Sequence, residues 1–357
     1  MVTAVSPGWD LAVGFADQAI ERLGALGISV VRSGNDLLSQ RALFANASEF
    51  RQTSMGGQCR LLSTVDGWCA VHLPRSDDLE LLPAWLGIER HRGDLPWAEI
   101  ARALKERGSD DVVRSGQELG LAIAQLPAET DEQLHDRGTT NAARPWIQRR
   151  VGARRNGTRI KDAVVVDLSS LWAGPLCSRV LSDAGARVIK VESSTRPDAS
   201  RNGDRELFDW LHAGQEFRSL ALEEPAGVAE LVDLLRQADV VIEGSRPRAL
   251  DRLGIIPADF LAERPGMVWL SITAYGRCGP WRDWVGFGDD AAVAGGLIDR
   301  DAAGAPGFVG DAVADPLTGL VAAALIADAV GHGGGLTVDV ALREVARSAA
   351  RATRVVW

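Results

Sequence analysis

The chain has 357 residues, too many for one ordinary hydrophobic core and enough for two domains. Apolar residues make up 46% and charged residues 24%, a composition that argues against disordered and low-complexity classes. The net charge of −9 argues against nucleic acid as a partner, because phosphate contacts dominate that affinity. The longest apolar stretch, 317–330, is shorter than the roughly 20 residues that cross a bilayer, and the N-terminus lacks a signal-peptide pattern. We therefore expect no membrane partner and a cytoplasmic location.

The first 143 residues predict a small α+β domain with connecting helices. Two β-rich runs within 59–74 flank the turn Val65-Asp66-Gly67 and predict a hairpin. The stretch 127–143 is polar and predicts a loop. Helical periodicity predicts helices over 78–86, 97–107 and 111–123.

A change of composition separates the two halves of the chain. Basic and small residues replace the apolar periodicity over 144–162, which we interpret as an exposed basic linker. A second domain is predicted over 163–357.

Short apolar runs alternate with helical patterns in the second half. Pro175 and Pro225 stand in the first turn of two predicted helices, where a missing N–H costs nothing. This alternation predicts a Rossmann-like α/β domain with a doubly wound parallel sheet and right-handed crossovers. Strands are predicted at 163–168, 185–192, 238–243 and 267–272, and helices at 176–184, 226–237 and 257–264.

The spacing of glycines, histidines and cysteines argues against several common kinds of active site. The first strand–helix turn, 169–175, carries one glycine, which disfavours a GxGxxG dinucleotide site; Trp172 in this turn either fills the core or lines a flatter ligand. The five histidines show no HExxH spacing or GxSxG partner, and His212 and His332 are interpreted as surface or loop residues. The four cysteines lie far apart and are interpreted as buried thiols, so no metal site is expected.

Asp315 stands directly before Pro316 and a strongly apolar stretch. One interpretation is an ordinary helix start, with aspartate as the N-cap and proline as the first helical residue. The other is a carboxylate that the helix N-terminus holds ionised and that acts as a covalent nucleophile.

Two further segments follow predicted strands. The loop AYGRCGPWRD, 274–283, contains Gly276 and Gly279, which permit close approach of a ligand to the backbone or form a plain turn. The segment EGSRPRALDRLG, 243–254, carries three arginines that either meet phosphates or are solvated.

Five ordered blocks across 163–319 resemble the family III CoA-transferases, a group that includes formyl-CoA transferase, carnitine CoA-transferases and α-methylacyl-CoA racemase. The blocks are VVVDLSSLWAGPLCSRVLSDAGARVIKVES, ADVVIEGSRPRALDRLGI, MVWLSITAYGRCGP, FGDDAAVAGGL and ADPLTG. The segment 63–87 is similar to the small domain that follows this half in the family. The resemblance implies the family fold in permuted order, with the small domain first.

The resemblance also implies covalent catalysis. Coenzyme A would move from an acyl-CoA donor to a carboxylic acid acceptor through an aspartyl intermediate on Asp315. Amides of the loop with Gly276 and Gly279 would stabilise the anionic intermediates. The resemblance implies no permanently bound cofactor. It also implies an interlocked homodimer. Contacts with coenzyme A would fall on Leu171, Trp172, Gly244, Ser245, Arg252, Leu253 and Thr273.

The chain departs from the family pattern at several of these positions. Trp172 replaces a glutamine, Ser193 an arginine and Thr273 a lysine of formyl-CoA transferase. Phe287 aligns with the catalytic histidine of the racemase branch, which favours transferase over racemase. Two alternatives stay open: a racemase-like enzyme with Asp289 or Asp290 as the base, and a non-catalytic CoA-binding paralogue or subunit.

Overall fold

The structure is a computed structural model that describes residues 6–41, 52–89, 94–127, 145–245, 247–352, 355 and 357. The polar stretch predicted as a loop lies outside these residues apart from position 127. The strands are β1 (Cys59–Ser63), β2 (Trp68–His72), β3 (Ala122–Gln125), β4 (Trp146–Arg150), β5 (Val164–Asp167), β6 (Arg187–Ser193), β7 (Glu216–Leu220), β8 (Val240–Glu243), β9 (Val268–Thr273), β10 (Ile298–Arg300), β11 (Pro306–Phe308) and β12 (Leu336–Ala341).

Two helices lie within the first forty residues, and the others are distributed over both halves of the chain. They are α1 (Pro7–Ala25), α2 (Gly34–Leu38), α3 (Asp78–Leu86), α4 (Trp97–Leu104), α5 (Ser109–Glu118), α6 (Ala173–Asp183), α7 (Arg205–Leu211), α8 (Pro225–Gln237), α9 (Pro247–Arg252), α10 (Pro257–Glu263), α11 (Gly288–Gly295), α12 (Ala314–Gly331) and α13 (Leu342–Ala350).

A seven-stranded sheet forms the centre of the C-terminal half, in the order β4-β12-β9-β8-β5-β6-β7. Six of its strands are parallel, which confirms the predicted α/β class. The edge strand β4 is antiparallel to β12 and lies within the segment interpreted as an exposed linker, so that interpretation is wrong for residues 146–150. Periodicity misses this strand because its last three residues are exposed and polar, as an edge strand allows.

Apolar side chains cover both faces of the sheet. Successive residues of β5 point to opposite faces, so that Val165 packs into one buried cluster and Val166 into another. Helices α6 and α12 contribute to the first cluster and α8 and α10 to the second. These two layers bury the parallel strands on both sides, as a doubly wound sheet requires.

The predicted hairpin forms as β1 and β2, and β3 extends it to a three-stranded antiparallel sheet. The helix predicted over 111–123 is correct only in part, because α5 ends at Glu118 and the chain turns at Gly120 with a φ of 80°. The residues after this left-handed turn pair with β2 instead of continuing the helix.

Helix α12 is the most apolar element and lies in the core. By length and composition it could cross a membrane, but 83% of it is buried inside the fold, as in a core helix. Helix α1 packs on α12 and α13, so the beginning of the chain shares the large core of the C-terminal half.

Candidate active site

The strand order places a crevice between β5 and β8. From β5 the chain winds outward through β6 and β7, and then returns to β8 on the other side of β5. Ligands of doubly wound proteins bind outside the carboxyl ends of the strands at such a reversal. Leu171 and Trp172 follow β5 there, and Gly244 and Ser245 follow β8.

The turn after β5 carries unusual backbone geometry. Leu171 has a φ of 69°, which a leucine rarely adopts, and 36% of its surface is exposed. Its N–H donates to the Asp198 carboxylate at 3.1 Å from Oδ1. The ammonium of the fully buried Lys190 lies 3.3 Å from Asp198 Oδ2. Burial would raise the pKa of Asp198, but the Lys190 charge and hydrogen bonds lower it below its usual value. Trp172 is 3% exposed and fills the core, the first of the two interpretations of this residue.

Asp315 lies in the first turn of α12 and is half-buried. The structure corrects the N-cap interpretation, because the cap position is Val313 and Asp315 is the second helical residue. A Cβ on Gly319, one turn later, would lie 2.6 Å from the Ala173 carbonyl oxygen. This close approach holds the start of α12 against the start of α6, directly after the turn that contains Leu171.

Three further aspartates lie around Asp315, and we call Asp289, Asp290, Asp311 and Asp315 the acidic centre. Asp289 accepts a hydrogen bond from the Ala312 N–H at 2.8 Å. A Cβ on Gly288 would lie 2.6 Å from Asp315 Oδ2, so the carboxyl packs against the start of α11. These contacts bring the two acidic segments of the sequence into one site.

Burial raises the pKa of Asp289, Asp311 and Asp315 in the acidic centre. Burial and the neighbouring Asp289 raise the pKa of Asp315 to about 8, and the same two causes raise the pKa of Asp311 to about 7. Burial also raises the pKa of Asp289. The expectation that the helix N-terminus holds Asp315 ionised is therefore wrong at neutral pH, because burial and like charges outweigh the helix dipole.

Two cations from the N-terminal part of the chain face this centre. His72, at the end of β2, places Nδ1 2.9 Å from Asp290 Oδ1 and its ring centroid 4.9 Å from that of Phe287. Arg41 lies 3.1 Å from Asp311. Sequence reasoning missed both residues, since His72 and Asp290 are 218 positions apart and no local spacing links them.

The glycine loop after β9 is tied to its surroundings by hydrogen bonds. The Gly276 N–H donates to Thr273 Oγ1 at 2.9 Å, and the Arg277 N–H donates to the Asp339 carboxylate at 2.7 Å. The Arg277 guanidinium pairs with Glu243 at 2.7 Å. Thr273 therefore orders the loop, and the amide of Gly276 is already used within it.

Gly279 stands at the far end of the same loop. It has a φ of 82°, and no hydrogen bond from its N–H is present among the described residues. Of the two glycines singled out from the sequence, Gly279 is thus the one whose amide is available to an incoming oxygen.

The remaining candidate residues have mixed surroundings. Arg252 is exposed at the end of α9, and Leu253 packs partly against the second buried cluster. Cys278 is half-exposed and near Arg149, so the interpretation of it as a buried thiol is wrong. His212 lies in the turn after α7, as a loop residue, but is buried and not on the surface. Among the described residues no group of three metal-ligating side chains occurs.

The fold and the site define an α/β protein with an aspartate near the crevice of a doubly wound sheet. Residues 160–354 match CoA-transferase family III, and because this match covers more than half of the chain, the protein belongs to that family. This result confirms the resemblance carried by the five sequence blocks.

Individual relatives match about half of the chain. It is 28% identical over 207 residues to succinyl-CoA–D-citramalate CoA-transferase of Chloroflexus aurantiacus, a match that covers 54% of this chain and 52% of that protein. It is 32% identical over 200 residues to succinate–glutarate CoA-transferase of Agrobacterium fabrum, covering 51% and 50%. A CAIB/BAIF family protein from Brucella suis is similar in structure with a TM-score of 0.49, 28% identity and coverage of 54% and 55%. The chain thus spans about half the length of the curated relatives it matches.

Proposed function

We propose that this protein transfers coenzyme A from an acyl-CoA to a carboxylic acid, with Asp315 as the covalent nucleophile. The observation that carries the proposal is the position of Asp315: half-buried, in the first turn of α12, and beside the turn that follows β5. Membership of CoA-transferase family III supports the acyl-CoA substrate.

In the proposed first step, a carboxylate oxygen of Asp315 attacks the carbonyl carbon of the thioester. The carbon–sulfur bond breaks, coenzyme A leaves as a thiolate, and an acyl-aspartyl anhydride remains. The thiolate then attacks the side-chain carbonyl carbon of Asp315, which releases the donor acid as a carboxylate and leaves an aspartyl-CoA thioester.

In the second half-reaction, the acceptor carboxylate attacks the aspartyl thioester and displaces the thiolate. The thiolate then attacks the acceptor carbonyl of the new anhydride, which yields the product thioester and restores Asp315. The Gly279 amide is the donor we assign to the oxyanions of these steps, because the Gly276 amide donates to Thr273.

We place coenzyme A in the crevice between β5 and β8. Leu171 and the pair Gly244 and Ser245 stand on its two sides. The small-domain-first arrangement and an interlocked homodimer belong to the same proposal.

Mass spectrometry of the intact protein tests the nucleophile. The protein is incubated with acetyl-CoA, propionyl-CoA or succinyl-CoA, with and without hydroxylamine, and the peptide containing ADPLTG is mapped. We expect a hydroxylamine-sensitive adduct on Asp315 that Asp315→Asn abolishes while coenzyme A binding is retained. A folded protein that binds coenzyme A and gives no adduct with any of the three esters would contradict the proposal and favour the racemase-like or binding-module alternative.

A further inference from the structure

Among the described residues of the N-terminal part, His72 and Arg41 reach into the acidic centre, and His72 is the histidine among them. The residue ends β2, and backbone pairing on both sides of this central strand, with Cys59 in β1 and Ala122 in β3, fixes its position. Only 11% of its side chain is exposed. His72 is therefore built into the site and is not a surface histidine that happens to lie nearby.

The ring of His72 is held in one orientation. His72 Nδ1 hydrogen-bonds to Oδ1 of the fully buried Asp290 at 2.9 Å, and the ring packs against Phe287. Asp290 Oδ1 also accepts the Phe287 N–H at 2.9 Å, so the same carboxylate oxygen fixes the start of α11 and the imidazole. Gly288, the next residue, packs against the Asp315 carboxyl. His72 and Asp315 thus contact neighbouring residues of one short backbone segment.

A second contact between the two halves keeps this segment in place. Gln117 of α5 donates to the Val285 carbonyl at 2.8 Å and accepts the Val285 N–H at 2.8 Å. This pair of buried hydrogen bonds fixes the chain two residues before Phe287. The hairpin, α5 and α11 therefore form one rigid support for the imidazole.

The acidic centre needs a positive charge for Asp315 to ionise. Four carboxyls lie close together, and ionising another one costs free energy while a nearby cation lowers that cost. Arg41 pairs with Asp311 at 3.1 Å, and its charge also acts against the raised pKa of Asp315. His72 pairs with Asp290, and Gly288, two residues earlier, packs against the Asp315 carboxyl, so the imidazole is a second cation of the centre.

We propose that His72 is a positioning residue for the nucleophile: held by Asp290, its imidazolium is the titratable positive charge that, beside Arg41, favours the ionised form of Asp315. This inference rests on the proposed aspartyl mechanism. It makes the N-terminal hairpin a working part of the site, since the cation that readies the nucleophile comes from outside the region that matches the family.

The groups around His72 agree with this role. Asp290 and Asp289 raise the pKa of His72, and Asp315 adds to this effect, while burial alone would lower it. Burial raises the pKa of the Cys59 thiol and of the Tyr275 hydroxyl well above their usual values, so both groups stay neutral. Arg41 adds a further basic side chain at the acidic centre.

The variant His72→Gln separates charge from shape. Glutamine can still donate a hydrogen bond to Asp290 but carries no positive charge. The measurement is the pH dependence of adduct formation on Asp315, with the reactive ester of acetyl-CoA, propionyl-CoA and succinyl-CoA. For the unchanged protein we expect half-maximal formation at a pH of about 8. For His72→Gln we expect this midpoint to rise by about one pH unit, the lower end of what loss of an opposite charge does to a carboxyl.

Two controls make the result decisive. His332→Gln removes an exposed histidine and is expected to leave the midpoint unchanged, and His72→Lys restores a charge and is expected to move the midpoint back. An unchanged midpoint in His72→Gln, even with a slower reaction, overturns the inference and indicates a purely structural residue. If the unchanged protein forms no adduct at any pH, the proposed function itself is wrong.

A reciprocal measurement does not depend on the folding of any His72 variant. Coupling between two sites acts equally in both directions, so an ionised Asp315 must favour protonated His72. NMR titration of the histidine rings should therefore give a lower pKa for His72 in Asp315→Asn than in the unchanged protein, with no change at His332. Identical His72 titrations in the two proteins would also overturn the inference.

Discussion

At the scale of single residues, the role proposed for Asp315 comes with a cost in stability. Its pKa is raised from 3.8 to about 8, so the folded chain holds this proton more tightly than the unfolded chain does. The folded state is therefore favoured while the group is protonated, and this advantage is lost as the pH rises from the unfolded pKa through the folded one. The proposed position of the nucleophile among buried carboxyls therefore costs stability at neutral and alkaline pH.

The variant Asp315→Asn should stabilise the protein, because it removes a carboxyl that must ionise among like charges. We expect the melting temperature near pH 8 to rise by roughly 2–4 °C, which corresponds to about 1 kcal/mol, and the gain to shrink as the pH is lowered. Thermal unfolding followed by circular dichroism at several pH values measures this difference. Asp259→Asn is the control, because Asp259 is an exposed aspartate in the first turn of α10. A variant at Asp315 that is less stable at alkaline pH would contradict the raised pKa.

At the scale of elements, the contact between α6 and α12 sets the geometry of the site. Gly319 lets α12 approach the first carbonyl of α6, and Asp315 lies one turn away on the same side of α12. A glycine in the middle of an apolar helix is unfavourable by itself, so the close approach explains its presence here.

The variant Gly319→Ala should separate these two helices. Its Cβ would lie 2.6 Å from the Ala173 carbonyl oxygen, a backbone atom that moves only with α6. We expect a loss of about 1–3 kcal/mol in the free energy of unfolding, measured by urea denaturation, together with less adduct on Asp315. Gly331→Ala, at the end of the same helix, is the matched control, because nothing lies within 4 Å of its Cβ position. Equal stability of the two variants would show that the helix contact is not tight.

The sequence predicts elements whose pattern is local and misses those that depend on distant partners. The strands β5, β6, β8 and β9 follow from short apolar runs between helices, each of which is buried on both faces. The edge strand β4 has one buried residue, Trp146, and reads as a polar connector until β12 pairs with it.

The same limit applies to the site. Asp315 is found from its segment ADPLTG and from family resemblance, both of which are properties of neighbouring residues. His72 carries no motif, and its role is defined by Asp290 and Phe287, which only the fold brings near. The raised pKa of Asp315 also escapes the sequence, because it arises from burial and from Asp289 on another helix.

At the scale of the whole molecule, the two halves of the chain share one core. Phe15 of α1 is 2% exposed and belongs to the same buried cluster as Leu317 and Leu320 of α12 and Val165 of β5. The face of the hairpin that carries Leu61 joins this cluster as well. The proposed nucleophile on α12 and His72 on β2 can therefore keep a fixed distance, because the elements that carry them are packed into one continuous core.

The variant Phe15→Ala tests this continuity. Removing a buried aromatic side chain typically costs about 3–5 kcal/mol, and a shared core should transmit that loss to α12. We expect hydrogen–deuterium exchange to accelerate in α12 as well as in α1, and urea unfolding to shift as one transition. Val31→Ala is the control, since Val31 is 96% exposed and its loss should change neither measurement. Faster exchange confined to α1 would mean that the helix is a separate layer, and the rigid link between the N-terminal half and the site would then depend on the hairpin and α5 alone.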